Sequence, residues 1–104
     1  MIQTLNPKQA EALIAEGTYD VIDVREPNEW ATGHIERARL VPLAELRARP
    51  QEVLSRDKVI FICAKGLRSL AAARVAESLG LKDLYSLEGG THGWVSAGLP
   101  LVRD

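Results

Sequence analysis

Val59-Ile60-Phe61-Ile62 is a run of four apolar side chains with no polar residue among them. A strand with one face in water alternates apolar and polar positions, so an unbroken run belongs to a strand covered on both faces, as at the centre of a parallel sheet. Parallel strands need long, usually helical crossovers. The chain supplies one directly downstream: Ser69 to Leu79, rich in Ala and Leu and closed by Gly80, is followed by Leu84-Tyr85-Ser86-Leu87 as a returning strand. Upstream, Asn6-Pro7 with Gln9 is a helix start: an Asx cap, a proline at the first helical position and an amide that reaches back. Ala10, Leu13 and Ile14 form its apolar face, Gly17 stops it, and Tyr19 to Val24 is a strand of mostly β-branched side chains.

The remaining segments are shorter. Pro27 to Thr32 predicts a helical turn closed by Gly33, and Leu40 to Leu43 a brief apolar segment broken by Pro42. Ala44 to Arg49 is a short helix limited by Pro50, with a second amphipathic stretch through Val53 and Leu54. Gly89-Gly90 leads into a last short helix around Trp94, before Gly98 and Pro100. Strands alternating with helices define an α/β fold with a mainly parallel sheet. Ligands of such sheets bind beyond the carboxyl ends of the strands, where Cys63 and Asp23-Val24-Arg25-Glu26 fall.

At 104 residues, 46% of them apolar, residues 1–104 are expected to form one domain with no room for a separate binding domain. Thirteen basic residues against fourteen acidic ones give a net charge of -1, which argues against a nucleic-acid or membrane surface. The N-terminus lacks the basic start and apolar run of a signal peptide, and no stretch is long enough to span a membrane. A single cysteine excludes an internal disulfide framework and a multi-cysteine metal site and points to a reducing compartment. The expectation is a soluble cytoplasmic protein.

Cys63 opens the segment Cys63-Ala64-Lys65-Gly66-Leu67-Arg68-Ser69, between a buried strand and a helix N-terminus. A free cysteine is ordinarily a small core hydrophobe. Its place before a cationic, glycine-containing loop instead marks a candidate nucleophile, because helix N-termini and cations lower a thiol pKa from ~8.5 to as little as ~3.5–7.5. A shift of two units takes ~2.7 kcal/mol and a helix terminus supplies ~0.3–2, so Lys65, Arg68 and the loop amides have to contribute. Gly66 lets the loop close its N–H groups around an anion, and the pocket should favour an anionic substrate.

The segments together resemble the rhodanese family of single-domain sulfurtransferases. Asp23-Val24-Arg25-Glu26 with Glu29-Trp30 and Gly33-His34-Ile35 is similar to its first signature, Cys63 to Ser69 to its active-site loop, and Leu87-Glu88-Gly89-Gly90 with Trp94, Gly98 and Pro100 to its C-terminal signature. The resemblance implies a three-layer domain with a five-stranded, mainly parallel sheet flanked by helices. It also implies that Cys63 accepts sulfane sulfur as a persulfide and passes it to cyanide or a thiol, with Ala64, Lys65, Gly66, Leu67, Arg68 and Ser69 binding the substrate. No metal or organic cofactor is required. The partners are a small anionic sulfur donor such as thiosulfate, a thiophilic acceptor and, in an alternative reading as a persulfide carrier, a sulfur-accepting protein.

Cys63 to Arg68 counts six residues, as in sulfurtransferases, whereas the related phosphatases and arsenate reductases carry a longer loop. Two departures stand out. Glu36-Arg37-Ala38 replaces a turn usually containing Gly then Ala, and Thr91-His92-Gly93 before Trp94 suggests a later start for the last helix.

Other residues carry two readings. Lys65 either binds the donor or is a solvated loop lysine, and Arg68 either anchors the donor or pairs with an acidic neighbour. Asp23 and Arg25 either line the pocket or form a buried pair, the latter favoured because breaking such a pair costs several kcal/mol. His34 and His92 lack zinc-ligand spacing; His34 is expected to bond backbone near its turn and His92 to lie on the surface. Trp30 and Trp94 are expected to pack, with their N–H groups reaching a partner.

Overall fold

The computed structural model describes residues 2–103. Eleven elements follow in the order β1 (Ile2–Leu5), α1 (Pro7–Glu16), β2 (Asp20–Asp23), α2 (Pro27–Trp30), β3 (Arg39–Leu40), α3 (Leu43–Ala48), α4 (Pro50–Val53), β4 (Val59–Ile62), α5 (Leu67–Ser78), β5 (Leu84–Leu87) and α6 (Gly90–Ser96). The strands form a five-stranded sheet in the order β1-β5-β4-β2-β3. Every pairing is parallel.

β4 lies at the centre and all four of its side chains are buried. Its alternate residues enter two cores. Val59 and Phe61, followed by Cys63, pack with Leu46, Ala72, Ala73 and Ala76 on the α3–α5 face. Ile60 and Ile62 pack with Ala10, Ile14 and Trp94 on the α1–α6 face. This is why the run shows no alternation, and it gives three layers, helices over both faces of one sheet. Ala72, Ala73 and Ala76 are fully buried; their small side chains seat α5 close against the sheet.

α1 begins as expected: Asn6 Oδ1 accepts from the Gln9 amide at 2.8 Å, and Gln9 Oε1 accepts from the Asn6 amide at 2.9 Å. Several elements and boundaries differ from expectation. β1 was not foreseen because its inward and outward positions do not alternate in polarity: Ile2, Gln3 and Thr4 are all at least partly exposed and Leu5 alone is buried. It is an edge strand paired to β5. Arg68 belongs to α5, which starts at Leu67, and α6 starts at Gly90, because Gly89 and Gly90, at φ 76° and 59°, make the turn that Thr91-His92-Gly93 was expected to delay. Pro50 opens α4 at its first position as well as ending α3.

Arg37 occupies the turn position where the resembled family usually has glycine, at φ 77°. Its guanidinium donates to the carbonyls of Ile14 and Ala15 at the end of α1, at 3.0 and 3.4 Å. These bonds offset a left-handed backbone that costs a non-glycine residue roughly 1–2 kcal/mol.

Candidate active site

From β2 the chain moves outward to β3, and from β4 it moves the opposite way to β5. The carboxyl ends of β2 and β4 therefore flank the switch point of the sheet, where a crevice opens between diverging connections. Cys63 is the first residue after β4, its side chain buried.

Three residues separate Cys63 from α5, and Gly66, at φ 105°, closes them. A β-carbon there would lie 3.3 Å from the Gly89 amide nitrogen, so both conformation and space favour glycine. The turn brings the Gly66 N–H to 3.0 Å from Cys63 Sγ. From the side of α5, Ser69 Oγ lies 3.5 Å from the sulfur. Burial pushes the Cys63 thiol up, but the Ser69 hydroxyl and the amides of Ser69, Gly66 and Lys65 outweigh it and hold the thiol below its ordinary value.

The backs of the loop peptides are tied down as well. The Cys63 carbonyl accepts from the Thr91 amide at 2.9 Å and the Ala64 carbonyl from the His92 amide at 3.1 Å. With the Ala64 oxygen turned towards α6, the N–H at the other end of the same peptide, that of Lys65, is turned towards sulfur. Gly90 makes the approach feasible: a β-carbon there would fall 2.3 Å from the Cys63 oxygen and 2.4 Å from the Ala64 carbonyl carbon. Neither Gly90 nor Thr91 was singled out from sequence as part of the site, and the adjacent glycines were the available signal.

Glu29, Cys63, Ala64, Lys65, Leu67, Arg68 and His92 line an open depression around the sulfur. Lys65 is exposed and makes no ion pair among the described residues. Arg68 is engaged: its two terminal nitrogens donate to the two oxygens of Glu29 at 2.7 and 2.8 Å. The Arg68 fork draws the Glu29 carboxyl down to about 2. Of the two alternatives for Arg68, pairing with an acidic neighbour describes its geometry. Leu67 stands at the rim with 79% of its surface exposed.

Asp23 and Arg25 do not line this depression. They form a buried pair in which Arg25 Nε donates to both Asp23 oxygens at 3.0 Å and Arg25 Nη2 to Oδ2 at 2.8 Å. Arg25 also donates to the carbonyls of Gly33 at 2.9 Å and Glu29 at 3.3 Å, so it ties α2 and its following turn to the end of β2. Glu29 is thereby presented to Arg68. Arg25 borders a neighbouring hollow with Thr91, His92 and Val95. His34 is buried, stacked on Trp30 with ring centroids 3.6 Å apart, and its Nδ1 lies 3.3 Å from the Ile35 carbonyl. Trp94 donates from its indole N–H to the Pro100 carbonyl at 2.8 Å.

A parallel three-layer domain whose lone cysteine sits in a short amide-lined loop at the switch point defines the class of protein, and comparison with known proteins gives it a family. The chain belongs to the rhodanese-like family: residues 6–97 match the family described as Rhodanese-like domain. It is similar to the uncharacterized protein YqhL of Bacillus subtilis, 40% identical over 71% of this chain and 59% of that one. It is also similar to the thiosulfate sulfurtransferase GlpE of Pseudoalteromonas translucida, 30% identical over 74% of this chain and 73% of that one. Among solved structures, a rhodanese-related protein from Thermoplasma volcanium superposes with a TM-score of 0.87 at 37% identity, covering 98% of this chain and 99% of that one. The chain spans 59% and 56% of the length of the first curated relatives it matches.

Proposed function

We propose that the protein is a sulfurtransferase that carries sulfane sulfur on Cys63. The observation that carries this reading is the Gly66 N–H at 3.0 Å from Cys63 Sγ, in a loop whose six residues from Cys63 to Arg68 suit a sulfur atom better than a tetrahedral phosphate. The Cys63 thiolate attacks the outer sulfur of thiosulfate; a sulfur–sulfur bond forms to Cys63, the sulfur–sulfur bond of the donor breaks, and sulfite leaves with the electron pair. The terminal persulfide sulfur is then taken by cyanide or by a thiol, which frees the Cys63 thiolate. Gly66 and Ser69 stabilise the charged sulfur at both stages, Lys65 draws in the anionic donor, and Arg68 reaches the donor only in competition with Glu29. The residues 1–104 act as one domain, without metal or organic cofactor, in a reducing compartment such as the cytoplasm.

A persulfide-carrier role is the second reading, favoured by Leu67: an apolar side chain 79% exposed beside the sulfur suits contact with an accepting protein better than with a small anion. Intact mass before and after thiosulfate, with cyanide added afterwards and Cys63→Ala in parallel, tests both. A gain of one sulfur atom that requires Cys63 and is discharged by cyanide is the expected result. Loading without appreciable turnover would favour the carrier. Absence of sulfur on the protein with thiosulfate and with organic persulfides would overturn both.

A further inference from the structure

Behind Cys63 lies a hydroxyl that the loop does not contain. Ser86, in β5, is 1% exposed and Ser69 is fully buried. Their oxygens are 2.7 Å apart, and Ser69 Oγ in turn lies 3.5 Å from Cys63 Sγ. The strand register explains the placement. Ser86 pairs with Phe61 of β4, so both side chains point to the α5 face, under the first turn of the helix that carries Ser69.

Among the described residues, Ser69 Oγ is the one hydrogen-bond partner of the Ser86 side chain. That settles the order of protons. If Ser69 donated to Ser86, the Ser86 proton would be buried with no acceptor, at a cost of ~1–3 kcal/mol. If Ser86 donates to Ser69, every proton is used and the Ser69 proton is left for Cys63. The row of three is complete when sulfur accepts; in the thiol, where Cys63 Sγ donates to Ser69 Oγ, either the Ser69 or the Ser86 proton is left without an acceptor. From these contacts we infer that Ser86 is a positioning residue: its buried hydroxyl donates to Ser69 Oγ and so commits the Ser69 proton to Cys63 Sγ, favouring the thiolate over the thiol. The same order receives the thiolate released when a persulfide is discharged, so the inference rests on the proposed role of Cys63 as the reacting sulfur, although its test needs no sulfur donor.

The charged and titratable groups that face Cys63 are Lys65 of the loop, Arg68 of α5, Glu29 of α2 and His92 of α6, and none of them touches Ser86. Ser86→Ala leaves them in place. The measurement is the rate of Cys63 alkylation by iodoacetamide, a neutral probe, from pH 5 to 10 in wild type, Ser86→Ala, Ser69→Ala and the double variant, with a thermal melt of each. Ser86→Ala is expected to raise the midpoint by about half a unit to one unit, slowing alkylation about three- to tenfold below it. In the Ser69→Ala background the same change should add nothing, because Ser86 then has no path to sulfur. The isosteric pair Ser86→Thr and Ser86→Val repeats the comparison at constant shape, Thr holding the wild-type midpoint and Val raising it. An unchanged midpoint in Ser86→Ala, or an equal shift without Ser69, would overturn the inference. Failure of persulfide formation alongside the expected shifts would instead count against the sulfurtransferase reading alone.

Discussion

Glu29 and Arg68 decide how much positive charge the depression around Cys63 offers a donor. The pair is part-exposed, at 29% and 36%, so it contributes less than about 1 kcal/mol to stability. Its pH dependence is distinctive. The Glu29 carboxyl is held at about 2 in the fold against an ordinary 4.5. The contribution is therefore fully present above about pH 4.5 and is lost as the pH falls through about 2. The difference in melting temperature between wild type and Glu29→Gln should be constant near neutrality and shrink between those limits, and a difference undiminished at pH 2 would refute the assignment. The same variant releases the Arg68 fork towards the depression. With thiosulfate as donor its KM is expected to fall about two- to fivefold with little change in kcat, whereas Lys65→Ala should raise KM by a similar factor, of the size expected for one part-exposed charge. Steady-state kinetics with cyanide as acceptor reads both.

Single elements bear on the site through their ends. α6 meets the loop at Gly90, and Gly90→Ala places a methyl 2.3 Å from the Cys63 carbonyl oxygen at a φ of 59°. Either α6 or the loop must move. A loss of stability of roughly 1–3 kcal/mol is expected, of the order set by overpacking, together with slower alkylation of Cys63 in protein that is still folded. Full alkylation rate in a destabilised variant would show that the loop does not depend on α6. On the other face of the sheet, Asn6→Ala removes the cap of α1 and should cost about 1 kcal/mol by chemical denaturation. It should leave Cys63 reactivity unchanged, since α1 packs on the face opposite α5.

For the whole molecule, the sheet separates two cores that share only its strands. Ile60 is fully buried on the α1–α6 side. Ile60→Ala should therefore lower stability by ~2–5 kcal/mol, a large part of the ~5–15 kcal/mol a domain of this size possesses. At a temperature where the variant is still folded, its Cys63 should alkylate with the wild-type pH profile, because the sulfur belongs to the other core. A displaced profile would mean that the two faces are mechanically coupled through β4.

What residues 59–69 determined by themselves was a centrally buried strand, a cysteine at its carboxyl end and a helix beyond a cationic loop, because strand burial and helix starts leave local signatures. Asn6 with Gln9 was legible for the same reason, being a contact within a few residues. β1 was not, since an edge strand of four residues, of which one is buried, takes its identity from pairing with β5. Nor were the partners of Arg68 and Ser69, which lie 39 and 17 residues away in sequence. An ion pair and a hydroxyl relay of that span exist only because the order β5-β4-β2 brings three strand ends together. Residue type set which atoms are able to donate and accept; the tertiary fold decided which of them meet.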